Sequence, residues 1–283
     1  MEIKSLENTD HDDLFEAFGQ AFAGYEVQLD KAEHLKMLKR RGFDPRLSFA
    51  AFDGGRIVSF TCNGTGDFYG TPTAYDTGTG TLAEYRGRGL ASRIFGHSIP
   101  YLKKAGVRQY LLEVLQHNSA AVSVYRKAGF EVTREFYYFK AESPRIDLKT
   151  KPAVFPFAVK EIDMPEYASL SAFWDFKPSW QNSPEAINRT RGDFICIGGF
   201  MRNTLVGYAV FEPAGGDVAQ IAVNRRYRRK GLGSALFREM LAANRYGSIK
   251  IVNGDIGCDS LTSFLAAMDI GPTGKQFEMV KEL

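Results

Sequence analysis

The chain has 283 residues, a net charge of +3, and 44% hydrophobic against 24% charged residues, a balance that suits one large or two ordinary globular domains. No run of about 18 apolar residues appears, which argues against a membrane span, and the acidic opening Met-Glu-Ile-Lys-Ser-Leu-Glu argues against a signal peptide. Cys62, Cys196 and Cys258 lack metal-type spacing, so free thiols in a reducing cytoplasm and no metal are expected, and so small a charge makes no demand for a nucleic-acid partner.

In chain order, Ile3 to Leu6 reads as a short strand. Leu14, Phe15, Phe18, Ala21 and Phe22 make a helical stripe over His11 to Phe22. Asp30 is a plausible N-cap for a second helix ending near Gly42. Leu47 to Phe52 and Arg56 to Cys62 flank Asp53-Gly-Gly55, a hairpin signal. Phe68, Tyr69 and Tyr75, with Tyr25, suggest an aromatic-walled pocket or ordinary packing. A strand over Thr73 to Leu82 leads to Arg86-Gly-Arg-Gly-Leu-Ala91 and a helix carrying Leu90, Ile94, Phe95 and Leu102. Pro100 is expected to kink that helix and Gly106 to cap it. Tyr110 to Leu115 reads as a buried strand, Asn118 as the cap of a helix to Lys127, and Gly129-Phe130 as the start of a hairpin ending in Phe136-Tyr137-Tyr138-Phe139.

The proline-containing stretch Glu142 to Pro156 reads as a connection, after which the pattern restarts. Phe157 to Ile162 is a strand. Phe194 to Phe200 and Thr204 to Phe211 pair around Met201-Arg-Asn203, and Val218 to Val223 leads into Arg228-Arg-Lys-Gly-Leu-Gly233. The stripe Leu232, Ala235, Leu236, Met240 and Leu241, the strand Ile249 to Val252 and the helix Leu261 to Met268 complete the copy. Phe173, Trp174, Phe176 and Trp180 cluster where the first half has its helix pair.

The two Arg-x-x-Gly-x-small motifs lie 142 residues apart, so the chain reads as two copies of one unit. Each puts a glycine turn between a strand and a helix start, where backbone N–H groups lack intrahelical partners and attract an anion. The order of strands and helices implies an α/β sheet with helices on both faces. The full dinucleotide fingerprint and the Walker ending are both absent.

In the first half the succession strand, Arg86 to Ala91, helix, strand, Asn118-Ser-Ala-Ala121, Tyr125 and Gly129-Phe130 resembles the GCN5-related N-acetyltransferases (GNAT) nearly end to end. The second half resembles them in Arg228 to Gly233 and in topology. The resemblance implies two tandem domains, 1–145 and 154–283, each with a mixed, mostly antiparallel sheet flanked by helices on both faces. It implies acetyl-CoA as donor, a small-molecule or peptide amine as acceptor, and neither a metal nor a membrane or nucleic-acid partner. A monomer or a homodimer is compatible with it.

On that resemblance, Thr81, Leu82, Ala83, Arg86, Gly87, Arg88, Gly89, Leu90, Ala91 and Ser92 bind the coenzyme, with the N–H groups from Arg88 through Ser92 at its pyrophosphate. The small Gly89 and Ala91 permit a close backbone approach there. Asn118 and Ala121 lie along the pantetheine arm, and Tyr125 supplies a proton to the leaving thiolate. A half-buried structural tyrosine and a simple N-cap are the alternative roles of Tyr125 and Asn118. The base is Asp76, ten residues before Arg86, or Glu113, or a water relay.

In the second copy Asp217 lies eleven residues before Arg228, Asp259-Ser260 stands near the place of the Asn and Phe264 near that of Tyr125. A phenyl ring donates no proton, so this copy is expected to be degenerate. Arg228, Gly231 and Gly233 with Arg225, Arg226, Arg229 and Lys230 either hold CoA phosphates or form a solvated basic turn. The alternatives to an N-acetyltransferase are a non-catalytic CoA-binding or regulatory protein, or an acyltransferase with another acyl donor or a thiol-precursor acceptor.

Overall fold

A computed structural model describes residues 1–24, 28–146, 148 and 156–283. Tyr25 and most of the proline-containing connection lie outside the described residues. The chain divides into two compact units: Met1–Arg134 with Phe277–Leu283, and Glu135–Gln276. The division differs from the boundaries expected at 145 and 154. Residues 135–142 pack in the second unit and residues 277–283 in the first.

The first unit contains β1 (Glu2–Ser5), α1 (His11–Ala21), α2 (Lys31–Arg41), β2 (Phe49–Asp53), β3 (Arg56–Phe68), β4 (Thr71–Thr81), α3 (Leu90–Lys104), β5 (Gln109–Leu115) and α4 (Ser119–Lys127). Its sheet runs β1-β2-β3-β4-β5 and continues into the last part of the final strand, β12 (Pro272–Glu282). Alternation in β2 and β3 covers both faces. Ala50, Phe60 and Cys62 pack with Leu14, Ala17 and Leu38 of α1 and α2, whereas Phe49, Ala51 and Val58 meet Leu90 and Ile94 of α3. Asp30 and Glu33 form a reciprocal capping box that starts α2, and Gly42 at φ 80° ends it.

Pro100 lies inside α3, which continues to Lys104; Ala105 caps it, and Gly106 follows at φ 82°. The hairpin expected after Gly129 is instead one strand, β6 (Glu131–Glu142). Residues 131–139 contain no Gly, Pro, Asn or Asp to turn the chain.

The second unit repeats the plan with β7 (Phe157–Ile162), α5 (Tyr167–Ser171), α6 (Pro184–Arg189), β8 (Ile195–Met201), β9 (Thr204–Glu212), β10 (Asp217–Val223), α7 (Leu232–Ala243), β11 (Ser248–Asp255) and α8 (Asp259–Ala266). Its sheet order is β6-β11-β10-β9-β8-β7. Ala209 and Phe211 face the core of α7 and α8, while Tyr208 and Val210 face Leu170, Phe173 and Ile187.

Both sheets open where the site is expected. Parallel β4 and β5 pair only from Thr73/Gln109 to Tyr75/Leu111, although both strands run on. Parallel β10 and β11 pair only at Asp217/Lys250. Beyond those pairs the strands part. A bulge in each antiparallel ladder beside the opening, at Thr77 in β4 and Ala219 in β10, adds local twist there.

Candidate active site

The residues after β4 form a 3-10 turn over Ala83–Tyr85 and then the motif. Gly87 and Gly89 sit at φ 74° and 71°, and a Cβ at either would meet nothing within 4 Å. The left-handed turns therefore aim backbone at open space, and α3 begins at Leu90 with no side-chain cap. Such a nest of N–H groups at a helix start fits a phosphate. Leu82 and Leu90 bury their side chains in the core, so only their backbone can face a ligand. Thr81 exchanges a hydrogen bond of 2.8 Å with Ser59. Ala83, Arg88 and Ser92 are exposed, and Ala91 is half-buried.

The Arg86 side chain hydrogen-bonds within the fold. Its Nε donates to the Thr81 carbonyl at 3.1 Å and its Nη2 to the Ala21 carbonyl at 2.9 Å. The guanidinium thus ties the loop to β4 and the end of α1. The second unit copies this: Arg228 Nε donates to the Val223 carbonyl at 2.8 Å, five residues back. Arg229 at φ 60° and Gly231 at φ 93° repeat the left-handed pair. Gly233 lies against Phe264, 3.1 Å from the nearest ring carbon for an added Cβ.

Inside the first unit's opening, Tyr125 of α4 donates its hydroxyl to Asp76 Oδ2 at 3.0 Å. Asp76 also accepts from Thr79 Oγ1 at 2.9 Å and from the Gly78 N–H at 3.0 Å. Burial pushes its carboxyl up to about 6, against those donors and the Arg41 guanidinium, which favour the anion. Asn118 caps α4 by accepting from the Ala121 N–H at 3.1 Å. That cap fixes the helix start and, with it, the reach of Tyr125 seven residues on.

Glu113 stands apart from this pair. Tyr75 and Asp76 are neighbours on β4 and project to opposite faces. Glu113 accepts a short hydrogen bond from the Tyr75 hydroxyl. Burial pushes the Glu113 carboxyl up to about 7, opposed by the Tyr75 contact and reinforced by the carboxylate of Glu278. Its Oε1 is buried without a partner among the described residues. Of the expected aromatic wall, Tyr75 is thus buried in the opening, while Phe68 and Tyr69 pack at the β3–β4 turn with ring centres 4.7 Å apart and planes tilted by 56°.

The bulges set the register between the copies. Asp76 and Val218 each precede the extra residue, so the counterpart of Asp76 is Val218, 1% exposed and apolar, rather than Asp217. The N-cap of α8 is Cys258, in the place of Asn118, rather than Asp259 or Ser260. Seven residues on lies Leu265, fully buried, where Tyr125 stands in α4. Phe264 instead packs on Phe237 of α7, ring centres 6.0 Å apart. The second opening therefore holds neither a carboxylate at the Asp76 position nor a hydroxyl at the Tyr125 position.

The second opening does hold a cavity of about 770 Å³, lined by β10, β11, α8, the Arg228–Ser234 loop and the aromatic segment Phe173–Pro178. Among the described residues no group of three or more His, Cys, Asp or Glu could hold a metal ion. No helix among them is long and apolar enough to cross a membrane.

The family model described as "Acetyltransferase (GNAT) family" matches residues 11–130 and 158–252. The chain belongs to the GNAT acetyltransferases. One matched stretch falls in each unit. It is 30% identical over 95 residues to "N-alpha-acetyltransferase MAK3" of Arabidopsis thaliana, a match covering 34% of this chain and 50% of that protein. It is 29% identical over 96 residues to "N-alpha-acetyltransferase 30" of Schizosaccharomyces pombe, covering 34% and 64%. The chain thus spans about half to two-thirds of the length of these curated relatives.

Among solved structures, a tandem GNAT protein from the clavulanic acid biosynthesis pathway superposes with a TM-score of 0.73 at 16% identity, covering 99% of this chain and 98% of that one. A GCN5-related N-acetyltransferase from Sphaerobacter thermophilus gives 0.70 at 13% identity, covering 99% and 95%. At these identities they share the fold, and the tandem arrangement of two GNAT units is common ground with the first.

Proposed function

We propose that the first unit transfers an acetyl group from acetyl-CoA to a primary amine of a small molecule or peptide, by direct attack within a ternary complex. The observation that carries this reading is the 3.0 Å Tyr125–Asp76 hydrogen bond in the opening between β4 and β5, which the Arg86–Ser92 loop follows in the chain. The loop's N–H groups hold the pyrophosphate, and the positive end of α3 adds to their pull.

Asp76, with a pKa of about 6, takes the proton that the amine nitrogen sheds as it bonds to the thioester carbonyl carbon. Tyr125 gives its hydroxyl proton to the departing thiolate and recovers one from Asp76 through the bond they already share. An acid and a base joined by one hydrogen bond complete the proton balance without bulk water. The Glu113–Tyr75 pair, on the other face of β4, is the alternative base. The names of the curated relatives favour a peptide α-amine as acceptor. The second unit, with Val218 and Leu265 at the two positions, carries no transfer. The protein acts in the cytoplasm.

Thiol release from acetyl-CoA with a panel of amines tests the reading. Gly89→Glu places bulk and negative charge at the pyrophosphate and is expected to abolish release. Ser92→Glu does the same without a left-handed backbone, because a Glu at the third position of a helix is well tolerated. Unchanged CoA affinity in both folded variants overturns the placement. Absence of thiol release by the wild type with every amine overturns the activity.

A further inference from the structure

The second unit has lost the reacting pair and kept a large opening. Its cavity of about 770 Å³ lies within the 300–1,000 Å³ usual for small-molecule sites. Cationic groups gather at one end, where Arg228, Arg229 and Lys230 line it beside the backbone nest at Gly231. Its interior is walled by Phe173, Trp174, Phe176 and Phe264.

The polar groups of that wall are already matched to one another. The Trp174 indole N–H donates to the Tyr208 hydroxyl, which donates to Gln220 Oε1 at 2.7 Å, and Gln220 Nε2 donates to the Asn182 carbonyl at 2.7 Å. Asn253 Nδ2 donates to Ser179 Oγ at 3.0 Å. Among the described residues, none of the buried side-chain polar atoms without a partner belongs to the cavity lining. An apolar group entering this space leaves none of these donors or acceptors orphaned.

We infer that the second unit is a non-transferring binding site for an acyl-CoA whose acyl group is apolar and larger than acetyl. The phosphates meet the Arg228–Ser234 loop and the acyl chain fills the aromatic interior. Val218, in place of Asp76, lines that interior with apolar surface instead of chemistry, and Leu265, in place of Tyr125, is buried in the core behind it. Asp175 fastens the aromatic segment across the rim. Its carboxylate accepts from Arg225 Nη2 at 3.0 Å and from Ser260 Oγ at 2.7 Å, and pairs with Arg228 Nη1 at 2.7 Å. Burial favours its neutral form, yet those three partners together hold its carboxyl below the ordinary range.

The chain reports on this site by itself, because, of its two tryptophans, Trp174 lines the cavity and Trp180 lies six residues on, so neither is in the first unit. Tryptophan emission of the full chain is titrated with CoA, acetyl-CoA and hexanoyl-CoA. Each buried methylene contributes about fourfold in affinity, so hexanoyl-CoA, with four more, is expected to bind about 250-fold tighter than acetyl-CoA. Ser234→Glu puts a carboxylate at the third position of α7, where a helix accepts it, and is expected to remove the response. Ser92→Glu, the matching change in the first unit, is expected to leave it.

Ala219→Leu, in the cavity wall, is expected to cut the hexanoyl preference by about tenfold or more, its fold checked by the unliganded melting temperature. Equal affinity for acetyl-CoA and hexanoyl-CoA overturns the inference. So does a response that survives in folded Ser234→Glu, or one lost in Ser92→Glu. Thiol release by the first unit is read separately, so its failure leaves this result standing.

Discussion

Two residues bear the chemistry proposed for the first unit, and each can be questioned alone. Tyr125→Phe keeps the ring in its contacts with Phe95 and Phe130 and removes only the hydroxyl. Turnover is expected to fall about 10²–10⁴-fold with little change in the KM for acetyl-CoA. Steady-state kinetics with a verified amine measures both, and an unaltered kcat would make Tyr125 structural. Asp76 acts as a base only when ionised. The rate should therefore rise with pH through about 6 and level off above it, and Asp76→Asn should lose that limb along with most of the rate. A limb centred near 7 that survives in Asp76→Asn and disappears in Glu113→Gln would move the base to Glu113.

At the scale of elements, α1 and α2 meet through a histidine pair, of which His34 is buried and His11 half-buried. His11 Nε2 and His34 Nδ1 share a hydrogen bond of 3.1 Å, and Phe15 and Phe18 pack around His34. Burial, then the charges of His11 and Arg41, push His34 down to about 4; burial and Lys31 lower His11, opposed by Asp12 and Asp10. The unfolded chain binds protons at His34 near pH 6.5 and the folded chain only near 4. Its contribution to stability is thus present above 6.5 and lost as pH falls through that window. Melting temperature is expected to drop between pH 6.5 and 4, corresponding to about 1–3 kcal/mol, and His34→Phe to flatten the slope.

The elements around the site were legible because their signals are local. The capped starts at Asp30 and Asn118 and the two motifs stand in the sequence as they stand in the fold. The correspondence between copies was not. A bulge moves the count by one residue, so Asp217 looks like the partner of Asp76 until the ladder shows Val218 there. Likewise α8 starts at the unremarkable Cys258, which shifts Leu265 rather than Phe264 into register with Tyr125. The parting of β4 from β5, and that of β10 from β11 with the cavity of the second copy, depends on strand twist and has no signature in composition.

For the molecule as a whole, the units are not two successive stretches of chain. The first takes Phe277–Leu283 into its own structure, where Met279 is fully buried with Tyr125, Phe130 and Leu112. Glu278, 5% exposed, forms a salt bridge of 2.6 Å with Arg134. Met279→Ala is expected to cost about 2–5 kcal/mol, read in denaturant as earlier unfolding of the first unit. Removing residues 277–283 should abolish thiol release although every residue proposed for catalysis remains. Retained turnover in that truncated chain would show the strand to be dispensable.

The same strand exchange gives the order of synthesis a consequence. A ribosome finishes residues 1–134 early, yet the sheet they build stays open at β5 until residues 277–283 emerge. The second unit, Glu135–Gln276, is already in hand by then. The half proposed to do the chemistry is therefore the first to be made and the last to be closed. An interrupted chain would carry the cradle, Asp76 and Tyr125 without the layer that holds them in place.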